Sequence, residues 1–204
     1  MYQFPHGLEE LEGIANRTDF DIGSHTKNQK DFDIKAKVKQ NSDSVIKLAV
    51  QDKINNTWTI PYVIEPSAGA DRAALAFLCE AYTEDEAPDD GGEMKSRTVM
   101  RLHPRLAPIK AAVFPLVKKD GMPEVARDIY RALKPHFNVF YDEKGAVGRR
   151  YRRQDEAGTP YCLTIDGQTK EDGTVTIRDR DTMEQERIPS EKVVATVREK
   201  LSLS

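Results

Sequence analysis

The longest stretches of this chain without a polar residue are seven residues long, Ala73–Cys79 and Ala111–Val117. A helix that crosses a membrane needs about 20 apolar residues, so neither stretch can span one. Within Ile109–Val117 the apolar run is nearly continuous, as in a strand covered on both faces. Beyond it, helical and strand-like patterns alternate. Gly121-Met122-Pro123 opens a helix with Val125, Ala126, Ile129, Tyr130 and Leu133 on one face, and Pro135 ends it. Phe137–Tyr141 reads as a strand, Ala146–Glu156 as an arginine-rich helix, and Tyr161–Ile165 as another strand. Val175–Arg180 and Met183–Ile188 read as a hairpin. Ser190 is placed to cap a last helix that turns Val193, Val194, Val197 and Leu201 inward. This order predicts a mixed α/β layer domain.

Residues 31–64 carry a different pattern. Phe32, Ile34, Ala36 and Val38 alternate with charged residues, the period of a half-buried strand. Ile46, Leu48 and Val50 alternate again, and Trp58–Ile64 forms a further strand after the turn Asn55-Asn56. Short turns between these runs predict an antiparallel sheet. A helix over Ala70–Tyr82 comes next, with Leu75, Phe77, Leu78, Cys79 and Tyr82 on its apolar face. Then Glu84–Glu93 brings six acids and no base among turn formers, which predicts a solvated loop or linker. Charge divides near the same place. Residues 1–100 hold 11 Lys and Arg against 18 Asp and Glu, whereas residues 101–204 hold 20 against 16. A boundary near residue 100 is expected on both grounds.

The opening Met1–Gly7 has neither a basic nor an apolar region, so no signal peptide is expected. Cys79 and Cys162 each sit in an apolar run and read as reduced core thiols of a cytoplasmic protein. The four histidines show no metal-ligand spacing, so no structural zinc is expected.

Chemistry concentrates in Glu65-Pro66-Ser67-Ala68-Gly69-Ala70-Asp71-Arg72, which joins a strand to a helix. Pro66 cannot donate to a ladder, and Gly69 lets the backbone bend or approach a ligand. A carboxylate stands at the strand end and a hydroxyl in the turn. Arg72 lies in the first helical turn, where a cation opposes the helix dipole unless an anion is held nearby. An ordinary turn with Arg72 paired to Asp71 or Glu65 accounts equally well for these residues.

The segment resembles the third signature motif of the class II glycyl-tRNA synthetases of the dimeric type. Pro61–Ile64, Ala73–Tyr82 and the opening Gly7–Asp21 are similar to the same family, and Leu102–Leu116 resembles the start of its anticodon-binding domain. The resemblance implies an α/β (α+β) chain with three parts. Residues 1–83 would be an antiparallel-sheet remnant of the catalytic domain, 84–100 an acidic linker, and 101–204 a mixed α/β anticodon-binding domain. It implies ATP-dependent attachment of glycine to its tRNA, with ATP, Mg2+, glycine and tRNA(Gly) as partners. The full-length enzyme would be a homodimer, away from any membrane. ATP would meet Glu10, Leu11, Gly69, Ala70, Asp71 and Arg72, with Glu10 also holding magnesium on its phosphates. Glycine would meet Glu65, Pro66, Ser67, Ala68 and Gly69, with Glu65 facing its ammonium group.

The first two signature motifs of that family are absent from these 204 residues, so the chain looks like a C-terminal fragment that is inactive alone. A Ser-Gly pair expected between His25 and Phe32 is replaced by Thr-Lys-Asn-Gln-Lys-Asp. A non-catalytic nucleic-acid-binding relative, such as the similar accessory subunit of the mitochondrial DNA polymerase, is the alternative. Arg149, Arg150, Arg152 and Arg153 surround Tyr151, and Arg149, Arg152 and Arg153 share a helical face. Arginine suits phosphate and tyrosine can stack on an unpaired base, so these three are candidate tRNA contacts. A solvated helix with pairs to Asp155 and Glu156 is the plain reading.

Overall fold

A computed structural model describes residues 1–88 and 92–202. Asp89 and Asp90 of the acidic run lie outside the described residues. The chain divides into two compact units, 1–76 and 77–204.

The first unit opens with strands β1 (Tyr2–Phe4) and β2 (Gly7–Glu9), an antiparallel pair. Strand β3 (Glu12–Thr18) leads into helix α1 (Phe20–His25), and strands β4 (Val50–Asp52) and β5 (Thr57–Thr59) form a hairpin. Strand β6 (Val63–Ala68) pairs antiparallel with β3, then gives way to helix α2 (Ala70–Ala81), within which the unit boundary falls. The antiparallel pairs are small, two strands each.

The expected strand over Phe32–Val38 is corrected. Burial does alternate there, with Phe32, Ile34, Ala36 and Val38 turned in and Asp33, Lys35 and Lys37 turned out, but the segment belongs to no ladder. Its backbone is held by side chains instead. The Asp19 carboxylate accepts from the N–H groups of Lys35 and Ala36 at 2.6 and 2.9 Å. Gln29 Oε1 accepts from the N–H of Asn41 at 3.0 Å, and Thr26 Oγ1 from that of Leu48 at 2.9 Å. Asp19, Thr26 and Gln29 are buried polar residues, and these bonds satisfy groups that burial would otherwise penalise. Ile46 and Leu48 likewise lie before the strand that begins at Val50.

The second unit begins with an antiparallel hairpin, β7 (Tyr82–Pro88) and β8 (Met94–Met100). The loop expected over 84–93 is thereby corrected in part, because Glu84, Asp85 and Glu86 lie in a strand. Asp85 lies opposite Arg97, which it binds at 2.5 and 2.7 Å. Strand β9 (Ala111–Pro115), helix α3 (Met122–Leu133), strand β10 (Val139–Tyr141), helix α4 (Val147–Ala157) and strand β11 (Tyr161–Ile165) come next. Helix α5 (Gly167–Asp172), strands β12 (Thr174–Asp179) and β13 (Gln185–Pro189), and helix α6 (Val193–Ser202) complete the unit.

Five strands form one sheet in the order β10-β9-β11-β12-β13. β9 runs parallel to β10 and β11, while β11, β12 and β13 are antiparallel. Every residue of β9 and β11 is buried. Ala111, Val113 and Leu163 pack with Ala126 and Leu133 of α3 and Val197 of α6. Ala112, Phe114 and Cys162 instead meet Val147 and Tyr151 of α4. Covering on both faces explains the apolar runs, and burying Val113 or Leu163 contributes about 1.5–3 kcal/mol each.

Three smaller expectations change. Ser190 caps nothing with its side chain and opens a 3₁₀ turn over Ser190–Lys192. Cys162 is buried and free, whereas Cys79 is only half-buried. The apolar face of α2 is not inward: Leu75, Phe77 and Leu78 are exposed, and Tyr82 beyond it is too, while Ala76 and Ala81 are buried.

Candidate functional site

The β3–β6 pair places Gly13 opposite Ser67 and Ala15 opposite Glu65. Alternation then puts Gly13, Ala15, Glu65 and Ser67 on one face of the pair. Two minimal side chains stand across from a hydroxyl and a carboxylate, so this face is a shallow polar floor. Gly13 keeps this face low. A methyl group on it would stand 3.0 Å from Glu10 Oε1 and 3.6 Å from Ser67 Oγ. The Glu10 carboxylate therefore overhangs the floor beside Ser67.

Arg17 extends the site. Its guanidinium binds Asp21 at 2.6 and 2.8 Å and Glu65 at 3.1 Å. The hydrogen bonds and charge of Asp21 hold the Arg17 guanidinium well above its ordinary pKa. The same hydrogen bonds hold Asp21 below the usual carboxylate range. Glu65 is thus a half-exposed carboxylate tethered by Arg17 at one oxygen.

A second feature borders the start of α2. A recess of about 450 Å³ is lined by Phe4, His6, Glu9, Gly69, Ala70, Asp71, Arg72 and Leu75. Arg72 donates to the Glu10 carbonyl at 2.5 Å and pairs with Glu9 at 3.2 Å. It does not pair with Asp71 or Glu65, the partners that the plain reading offered. His6 stacks on Phe4 at 5.4 Å between ring centroids. Gly69, Ala70, Asp71 and Arg72 all line this recess, whereas Glu10 and Leu11, the other residues expected at ATP, do not.

These residues fit a nucleotide. A half-exposed guanidinium and the first N–H groups of a twelve-residue helix offer donors for phosphate, and the exposed His6 ring, stacked on buried Phe4, offers a flat face. Among the described residues no group of three or more His, Cys, Asp or Glu side chains could hold a metal by itself. A lone Glu10 suits Mg2+ held mainly by phosphate oxygens.

In the second unit, α4 separates the three candidate arginines. Arg149 is exposed. Arg152 donates to the carbonyls of Ala87 and Pro88 at 3.2 and 3.4 Å, while its Nη1 is buried without a partner. Arg153 binds Asp142 at 2.5 Å and the Lys144 carbonyl at 3.1 Å. Arg149 and Arg152 line a groove of about 570 Å³ with Lys95 and Arg178. Arg153 is not part of it. Arg150 is buried and donates to the carbonyls of Pro115, Asp142 and Leu116, so it holds the fold. Tyr151 is corrected as a free stacking platform: its hydroxyl meets Thr164 at 2.5 Å and its ring packs edge-on to Phe114. Asp155 pairs with buried Arg97 and Arg178 instead of its helix neighbours.

Gly13 and Arg17 escaped the sequence reading. The signal was available in the small residues two apart, Gly13 and Ala15, within Gly-Ile-Ala-Asn-Arg. Its meaning needs the register with Glu65 and Ser67.

Comparison with known proteins bears on both units. Residues 110–200 match the family described as "Anticodon binding domain". The chain is 61% identical to a glycine–tRNA ligase of Rhodopirellula baltica over all of this chain and 40% of that protein. It is 52% identical to one from Thermobifida fusca, covering 95% of this chain and 38% of the relative. For one from Clostridium perfringens the identity is 50%, over 98% of this chain and 39% of the relative. The chain therefore spans about two fifths of the length of these curated relatives. The RNA-binding domain of threonyl-tRNA synthetase from Cryptosporidium parvum Iowa II shares the fold, with a TM-score of 0.57 and 20% identity over 74% of this chain and 34% of that one. The rival accessory-subunit reading gains nothing from these matches, since the curated relatives are named glycine–tRNA ligase. Over its whole length the chain is homologous to the glycine–tRNA ligases, as a part of that family that contains an anticodon binding domain.

Proposed function

We propose that this chain serves a cytoplasmic glycine–tRNA ligase that acts as a homodimer. The second unit holds tRNA(Gly), and the first carries residues that meet glycine and ATP. The observation that carries the reading is the floor of Gly13, Ala15, Glu65 and Ser67 in a chain 61% identical to a glycine–tRNA ligase.

The chemistry is set by that floor. The Glu65 carboxylate accepts from the glycine ammonium, with Ser67 beside it. Close approach of Glu10 and Ser67 to Gly13 favours the smallest amino acid as substrate. Arg72 and the first N–H groups of α2 hold phosphate oxygens of ATP. Mg2+, carried on those phosphates beside Glu10, would neutralise charge as it develops. A carboxylate oxygen of glycine attacks the α-phosphorus, and the bond to pyrophosphate breaks. Catalysis here is orientation and charge neutralisation, with no covalent bond to the protein. Residues 1–83, 84–100 and 101–204 then serve as catalytic remnant, connector and anticodon-binding domain.

By itself the chain activates no glycine, because the family's arginine motif is missing from it. Glycine-dependent pyrophosphate exchange by the 204-residue chain, above a Glu65→Ala control, would contradict this. For tRNA, Arg149, Arg152 and Arg153 are the proposed phosphate contacts, supported by the exposure of Arg149 and Arg153. Replacing all three with Ala should weaken tRNA(Gly) binding and lower the slope of log K against log salt by about 2–3. An unchanged slope in a filter-binding titration would remove these residues from the interface.

A further inference from the structure

Basic residues in the acidic half of the chain are not spread evenly. Residues 26–49 hold six of the eleven Lys and Arg of residues 1–100, against three Asp, so this short stretch is net basic within a net acidic half. It is also the stretch whose backbone is held by Asp19, Thr26 and Gln29 instead of a ladder, which fixes its course without a sheet. Lys35, Lys37 and Lys39 alternate with half-buried Ile34, Ala36 and Val38 and are exposed. Lys27 is joined to the segment of Lys47 by its N–H, which donates to the Ile46 carbonyl at 2.7 Å.

Lys27 and Lys47 border one recess of about 270 Å³ with Asn28, Asp31 and Phe32. Lys47 Nζ sits 3.1 Å from the centroid of the Trp58 ring and 5.8 Å from that of Phe32. Trp58 is nevertheless 44% exposed on the hairpin of β4 and β5. Asp31 faces the recess and Asp33 pairs with Lys35, so the acids offset part of this charge, and six Lys against three Asp leave residues 26–49 at a net +3. Core packing does not account for a large aromatic ring that is half-exposed, with one ammonium group over its face.

We propose that Trp58, Lys27 and Lys47 form a second RNA-contacting surface, in the first unit. A base stacks on Trp58 while the lysines take the adjoining phosphates. Stacking on an aromatic ring beside a cationic track is how unpaired nucleotides are held without sequence readout. Acidic protein would satisfy the lysines but not the open ring. The proposal deepens the tRNA-binding reading and rests on it.

Trp58 is the single tryptophan of the chain, so its fluorescence reports this surface alone. A tRNA(Gly) transcript should be titrated into the 204-residue chain, reading tryptophan emission and the anisotropy of labelled RNA together. The expected result is quenching that tracks binding. In Lys27→Gln/Lys47→Gln, affinity should fall and the salt slope should drop by about 2. Trp58→Leu should weaken binding about fivefold or more, the loss expected for one stacked base. RNA that binds with Trp58 emission unchanged, and with affinity and slope unaltered in the lysine variant, would overturn the proposal while leaving the arginine helix standing. Quenching by polyglutamate but not by RNA would reassign the surface to an acidic protein and overturn it. Failure of the unmodified chain to bind any RNA would overturn both this surface and the tRNA reading.

Discussion

Asp155 is buried on α4, between two guanidinium groups that are buried with it. Its carboxylate accepts from Arg97 at 3.1 Å and from Arg178 at 2.8 and 3.2 Å. Arg97 reaches on to Asp85, whose carboxyl its hydrogen bonds hold below the usual range. Removing one member of such a set strands the other charges without water. Asp155→Ala should therefore cost about 3–5 kcal/mol in urea unfolding, and a loss under about 1 kcal/mol would show that the charges do not depend on one another. No sequence pattern announced this network. Asp155 looked like a surface partner for its helix neighbours, and burial of a charged residue shows only when strands distant in sequence assemble. Glu65, Ser67 and Arg72 were legible because their types and spacing carry chemistry. Arg17 and Gly13 were not, because each acts through a cross-strand neighbour.

At the scale of elements, β9 and β11 were readable nearly to the residue. Both faces of each strand are covered, so the sequence itself is apolar throughout. The hairpin of β7 and β8 was unreadable for the opposite reason. Its inward positions include Asp85, satisfied by Arg97 across the ladder, so composition spoke for a loop where pairing made a strand. The run Phe32–Val38 erred the other way. Alternation of burial was real, but alternation is a property of an extended chain and does not supply a partner strand. Hydrogen exchange separates the two cases. Ladder amides of β8, from Arg97 to Met100, should exchange slowly, while Asp33, Lys37 and Val38 should exchange far faster because no ladder holds them. Equal protection across both segments would mean that the extended run has found a strand partner in solution.

For the whole molecule, the division of charge keeps its direction but changes its content. The acidic run is partly neutralised inside the β7–β8 hairpin, and the basic residues of the first half gather in 26–49. Apolar side chains on the outer face of the first unit, Ile14 and Ile64, are exposed, as are Leu75, Phe77 and Leu78 of α2. Patches of this kind mark surfaces built to be covered. They accord with a chain that spans only 38–40% of relatives it otherwise matches closely. The fold of residues 110–200 gives the RNA-binding reading its firmest ground. Electrostatic attraction alone would hold any tRNA, so recognition must appear as a difference between tRNAs. The decisive measurement is the ratio of dissociation constants of this chain for a tRNA(Gly) transcript and for the same transcript with its anticodon replaced, at one fixed salt concentration. The account predicts binding of the unaltered transcript tighter by about tenfold or more, the worth of a few lost base contacts. Equal affinities would reduce the second unit to a non-specific polyanion binder and contradict the account.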